Sequence, residues 1–249
     1  MINRQDLINA VRYQTNRLLD IDIVRASGQH TLRTHLQRII SDYAVNAIID
    51  VGANEGGFGA SVRSLGFTGN IYSFEPVAEA FGKLSLAATN DPQWTVFNFA
   101  LGAEEAESII NVSKFSQFSS ILNANDYGNS WENMKVESHE KIRVRTLDNC
   151  FVEGLIPRQK RILLKMDTQG FDLQVFRGAN LCLENVCCML SELSLIPAYS
   201  GMPHYLEALS VYESRGFSVS GFYPITRNRA LALNEVDCML VNTRFFQGQ

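Results

Sequence analysis

Apolar positions in this chain alternate between short continuous runs and stretches with helical spacing. Leu32, Leu36, Ile39, Ile40 and Tyr43 fall at i, i+4, i+7, i+8 and i+11, one face of a helix over residues 30–44. A second helix is predicted over residues 5–20. Short apolar runs then predict strands over residues 46–51, 70–75, 94–99, 161–167, 187–193, 217–222 and 236–241. Helical stretches over 56–66, 77–90, 171–178 and 204–215 lie between them. Residues 161–167, RILLKMD, are almost wholly apolar, as a strand buried on both faces requires. Seven main strands with helices alternating among the first five predict a doubly wound α/β sheet. Such a sheet binds ligands at the carboxyl ends of its strands.

Two further segments, residues 107–113 and 141–147, alternate like strands. The stretch between them is rich in Ser, Asn and Phe, and reads as a long connection over a ligand or as a surface excursion. Residues 1–45 form an expected N-terminal helical extension, and residues 46–249 the sheet domain.

The stretch AIIDVGANEGGFG, residues 47–59, organises the rest. A strand ends at Asp50, a turn with Gly52, Gly56, Gly57 and Gly59 follows, and a helix begins. A dinucleotide fingerprint needs a second glycine where Asn54 stands, so that the backbone can approach a pyrophosphate. Asp50 and Glu55 would also repel phosphates at a helix N-terminus. The loop suits an adenosine ligand without phosphates and with a positive group, which describes S-adenosylmethionine (SAM). Asp50, Asn54, Glu55 and Gly56 are expected around its amino-acid end, with Gly52 allowing close approach. Glu75, ending the second strand after Phe74 and before Pro76, is placed to accept hydrogen bonds from both ribose hydroxyls. The turn at Ala100 and Leu101 is expected to hold the adenine.

Composition narrows the picture further. A hydrophobic share of 46% marks a globular chain, and a net charge of -4 argues against a partner that is nucleic acid or an anionic membrane. No apolar run approaches a membrane span, and the first residues carry no leader-like apolar stretch, so a cytoplasmic protein is expected. Five cysteines without Cys-x-x-Cys spacing read as buried thiols rather than zinc ligands.

IIDVGANEGGFG, SFEP (73–76), the ALG turn (100–102), VRTLD (144–148) and LLKMDTQGFDLQVFRGA (163–179) together resemble the FkbM-type SAM-dependent methyltransferases, as does Glu192 in LSELSL. The resemblance covers residues 46–242. It implies a Rossmann-like class I methyltransferase fold with helices on both faces of the sheet. It also implies SAM as donor and O-methylation of a sugar, a glycan or a secondary metabolite. The acceptor is expected over the ends of the fourth and fifth strands, near Asp167, Asp172, Glu192 and His204. A hydroxyl must lose a proton to attack, so a base or metal must assist. His204, Asp167 and Glu192 are the catalytic candidates. Asp167, which also borders the expected cofactor site, could join Asp172 and Glu192 in holding Mg²⁺ through oxygen. For His204 the alternative is a place beside a helix N-cap. The acceptor is expected to be a small molecule or glycan, and a homo-oligomer is possible. The rival functions are a SAM-binding scaffold or regulatory subunit without turnover, and an NAD-dependent oxidoreductase.

Overall fold

The computed structural model describes residues 31–246. The chain divides into two compact units, Met1–Leu36 and Gln37–Gln249. The helix expected over residues 5–20 lies outside the described residues. The helix expected over 30–44 is helix α1, Leu32–Asp42, with the Thr31 hydroxyl accepting from the Thr34 amide at its start.

In the second unit the strands are β1 (Ala47–Val51), β2 (Asn70–Phe74), β3 (Trp94–Phe97), β4 (Ala100–Leu101), β5 (Ala106–Ser113), β6 (Val136–Arg145), β7 (Ile162–Met166), β8 (Val186–Ser194), β9 (Ser218–Arg227) and β10 (Leu233–Val241). The helices between them are α2 (Gly57–Ser64), α3 (Ala78–Ala88), α4 (Asp126–Asn129), α5 (Leu147–Val152), α6 (Asp172–Arg177) and α7 (Tyr205–Ser214). Seven strands form one sheet in the order β3-β2-β1-β7-β8-β10-β9. The first five pair in parallel, and β10 runs antiparallel to both β8 and β9. Chain order reverses between β1 and β7, so the crevice of a doubly wound sheet opens above those two strands.

The two further segments with strand alternation do not join this sheet. They are β5 and β6, and with β4 they make a second sheet in the order β4-β6-β5. The second segment also ends earlier than its alternation suggests. The Thr146 hydroxyl accepts from the Asn149 amide and starts α5, so VRTLD is a strand-to-helix junction.

Period-two alternation explains the core. Ile49, Val51, Tyr72, Phe74, Leu164 and Met166 share one face with Leu147, Leu173, Phe176 and Tyr212 from α5, α6 and α7. Their sheet neighbours Ile48, Ser73 and Leu163 are also fully buried, on the opposite face. There Gly59 of α2 lies against the indole of Trp94, where an added Cβ would come within 2.2 Å of the ring. All five cysteines are buried and unbridged. Among the described residues no helix is long and apolar enough to cross a membrane.

The Trp94 ring cannot easily retreat, because its Nε1 donates to the Ser73 hydroxyl at 2.9 Å in a buried setting. Gly59→Ala should therefore destabilise the fold by about 1–3 kcal/mol through overpacking. Urea unfolding checks this, and an unchanged midpoint would show that the indole has room to move.

Candidate functional site

A cavity opens above the β1–β7 crevice. Its empty space, which is open to solvent, is about 530 Å³. The strand ends contribute Val51, Gly52, Phe74, Glu75, Pro76, Ala100, Leu101 and Asp167. Ser116, Ser119, Ser120 and Ile121, from the Ser-rich connection, form another part of the wall. That connection is thus a lining element of the cavity rather than a surface excursion.

Glu75 sits just past β2 and is 6% exposed. Its Oε2 accepts from the Asn54 amide at 2.8 Å and its Oε1 from the Val77 amide at 2.9 Å. Burial pushes its pKa up to about 7, against the pull of those two amides and of Lys165. Each carboxylate oxygen keeps a second lone pair, so the group can accept further hydrogen bonds from the cavity side.

The glycine-rich loop works differently from the expectation. Asp50 is fully buried and does not line the cavity. Its Oδ1 lies 3.0 Å from Lys165 Nζ and its Oδ2 accepts from the Ser73 hydroxyl. It is engaged beneath the loop rather than on the cavity wall. Glu55 turns outward and pairs with Lys83 at 2.8 Å. Gly56 adopts φ 91° at the start of α2, wedged between Leu84 and Trp94. Gly52 does line the cavity, but its reason is internal: at φ 72°, an added Cβ would come within 1.9 Å of the Asp167 carbonyl oxygen. The turn needs glycine there because the loops after β1 and β7 touch backbone to backbone. Asn54 is held at φ 47° and meets the serine segment rather than the cavity itself.

Lys165 is the residue that pattern reading missed. It is 6% exposed, a buried cation in a strand read as almost wholly apolar. Besides Asp50, its Nζ donates to the Gly52 carbonyl at 2.8 Å and lies 3.6 Å from Asp167 Oδ2. Burial opposes its charge, yet Asp50 and Asp167 outweigh that and hold its pKa above the usual lysine range. The sequence showed only a lysine within an apolar run; the register that sets Lys165 directly beside Asp50 comes from the fold.

Beyond β7 the structure brings Asp167 and Glu192 together. The Gln169 amide donates to Asp167 Oδ1 at 3.2 Å and to Glu192 Oε2 at 3.0 Å. The Tyr199 hydroxyl lies 3.0 Å from the Gln169 side-chain oxygen. Burial, then the neighbouring Asp167, raise the Glu192 pKa well above the usual carboxylate range. For Asp167 burial pulls the same way, but Lys165, Glu192 and Gln169 prevail and lower it. The two carboxyls titrate as a pair, with Lys165 favouring charge on the Asp167 side.

Two expectations at this end are corrected. Asp167, Asp172 and Glu192 do not form a metal site, and among the described residues no group of three His, Cys, Asp or Glu side chains is placed to hold an ion. Asp172 is buried at the start of α6. Its Oδ1 accepts from the Thr168 amide and hydroxyl, and its Oδ2 from the Ser191 hydroxyl and the Glu192 amide. His204 is exposed and does not line the cavity. It caps α7, its Nδ1 accepting from the Leu206 amide, so the role of base does not fall to it.

The sheet order, the antiparallel last pair and the cavity above the crevice are those of a class I methyltransferase. The model of the methyltransferase FkbM domain matches residues 50–219, and the chain belongs to that family. No curated protein matches the chain in sequence. Solved structures similar in fold include an rRNA methylase from Streptococcus thermophilus, 10% identical, covering 86% of this chain and 99% of that one at a TM-score of 0.45. Another is Aeropyrum pernix fibrillarin with natively bound SAM, 10% identical, covering 79% and 66% at a TM-score of 0.44. A third is precorrin-6y C5,15-methyltransferase from Geobacter metallireducens, 9% identical, covering 86% and 90% at a TM-score of 0.43. The likeness is one of fold. The expectation that excluded nucleic acid as a partner is corrected by it, because a neighbour in fold is named an rRNA methylase.

Lys165→Met would leave the Asp50 carboxylate buried without a counter-charge. The variant should lose about 3–5 kcal/mol of stability, and the double variant Lys165→Met with Asp50→Asn should recover part of it. Denaturant unfolding of the native protein, both single variants and the double variant checks this. Additive losses would show that the two groups do not depend on each other.

Proposed function

We propose that this methyltransferase takes its methyl group from SAM and delivers it to a hydroxyl on a sugar or secondary metabolite. The observation that carries the donor half is Glu75: a buried carboxylate at the end of β2, facing the cavity with free lone pairs. Two ribose hydroxyls are the donors such an acceptor suits. The lining supports the same reading. Its charged members are Glu75 and Asp167, with no Lys, Arg or His among the described lining residues. That wall favours a ligand carrying a positive group and disfavours the pyrophosphate of NAD.

When bound, SAM supplies a methyl group made electrophilic by its sulfonium. The chain's own residues then have three tasks. Glu75 fixes the adenosine end. The apolar sides of Leu101, Phe74 and Phe171 exclude water. Asp167, kept ionised by Lys165 and with its side chain 44% exposed, accepts the proton that the acceptor hydroxyl releases. A carboxylate at the cavity wall favours turnover over a scaffold role.

The test is transfer from methyl-labelled SAM to a panel of sugars, hydroxylated metabolites and RNA, followed by mass spectrometry. Label on a sugar or metabolite oxygen supports the proposal. Label on RNA alone, or on nitrogen or carbon, overturns the acceptor half.

Glu75 also predicts a pH dependence. Its ionised form accepts the ribose hydroxyls, and its pKa stands at about 7. Affinity should thus be full above pH 7 and fall as pH drops through it. Adenosine, which does not titrate in this range, should bind about tenfold more weakly at pH 6 than at pH 8. Glu75→Gln should bind it more weakly than the native protein at pH 8 and lose the dependence. Calorimetry at the two pH values decides, and a flat native profile would remove Glu75 from the ribose.

A further inference from the structure

The serine segment that walls the cavity is tied to the glycine-rich loop through one side-chain pair. Ser116 Oγ donates to Asn54 Oδ1 at 2.8 Å, across 62 positions of sequence. The Asn54 amide in turn donates to Glu75 Oε2, so one residue touches both the proposed ribose carboxylate and the segment over the cavity. The other end of the segment is fixed separately. Ser120 pairs with Asn111 backbone to backbone and its hydroxyl donates to the Gln169 carbonyl, while the Tyr199 hydroxyl reaches the Phe118 carbonyl at 2.9 Å. Ser116 thus lies on the cavity wall with its hydroxyl oriented by Asn54, and Asn54 lies behind it.

The backbone of Asn54 fits that task. At φ 47° it is left-handed, a conformation that Asn adopts more readily than most non-glycine residues. There the side chain bonds to Ser116, so the strained turn and the contact to the segment are one feature.

We propose that Asn54 is a positioning residue that clasps the Ser116 segment over the cavity and thereby sets how fast the adenosyl product leaves. The inference rests on the reading of this cavity as the SAM site. It replaces the expected direct contact between Asn54 and the ligand with one exerted through Ser116. Closing a wall over a bound ligand slows its escape, and release steps of this kind often limit turnover.

The test uses S-adenosylhomocysteine and the full chain, with association and dissociation followed separately by stopped-flow fluorescence. Asn54→Gly keeps the left-handed turn but removes the acceptor, and Ser116→Ala removes the donor. Each should speed dissociation about fivefold, the scale of one neutral hydrogen bond, with association within about twofold of native. Asn54→Asp retains an acceptor and should dissociate at the native rate. The double variant Asn54→Gly with Ser116→Ala should be no faster than either single one. Native dissociation in both single variants, or Asn54→Asp behaving as Asn54→Gly, overturns the clasp while leaving the donor site standing. A native protein that does not bind S-adenosylhomocysteine overturns the donor reading and the clasp with it. Melting temperatures of all variants separate a clasp effect from a folding defect.

Discussion

The ion pair between Lys165 and Asp50 is the constraint on which the site depends. Two neighbouring parallel strands each carry a charge into the core, in direct register. Taking both out of water is costly, and only their mutual attraction and extra hydrogen bonds offset it. Those extra bonds run along the sheet. Trp94 donates to Ser73, Ser73 to Asp50, and Lys165 to the Gly52 carbonyl. The network therefore links four strands, β3, β2, β1 and β7, and pins the turn after β1. Gly52 and Asp167 come into backbone contact as a result, which sets where Asp167 and the cavity floor lie.

From that floor the electrostatics of the cavity follow. Lys165 sits below it and the two lining carboxylates face into it. One cation beneath keeps Asp167 ionised, while Glu75, farther along the rim, is left with a pKa near neutrality. The same fold thus gives two carboxylates different duties by giving them different neighbours. Asn54 connects the two halves of the arrangement, with its amide on Glu75 and its side chain on the serine wall.

Much of this was readable before the structure. The seven main strands, the helices between them and the positions of Glu75, Ala100, Leu101 and Asp167 follow from hydrophobic period and turn residues, which are local properties. What escaped was non-local. Lys165 looks like an anomaly in an apolar strand until the register beside Asp50 is known. Gly52 and Gly56 look like ligand-approach glycines, but their conformations answer to Asp167, Leu84 and Trp94, all distant in sequence. Asp172 has the right chemistry for catalysis, yet besides the nearby Thr168 it is engaged by the Ser191 hydroxyl and the Glu192 amide, which only the fold brings near; His204 is taken up locally, by the Leu206 amide at a helix start. The net charge misled most simply, because it is a property of the whole surface and says little about one cavity.

The most direct test of the account is a crystal structure of the protein grown with S-adenosylhomocysteine. The account predicts both ribose hydroxyls within hydrogen-bond distance of the Glu75 carboxylate, the adenine beside Ala100 and Leu101, and Asp50 still paired with Lys165 beneath the ligand. A ligand bound elsewhere, or one whose amino group has drawn Asp50 away from Lys165, would contradict it.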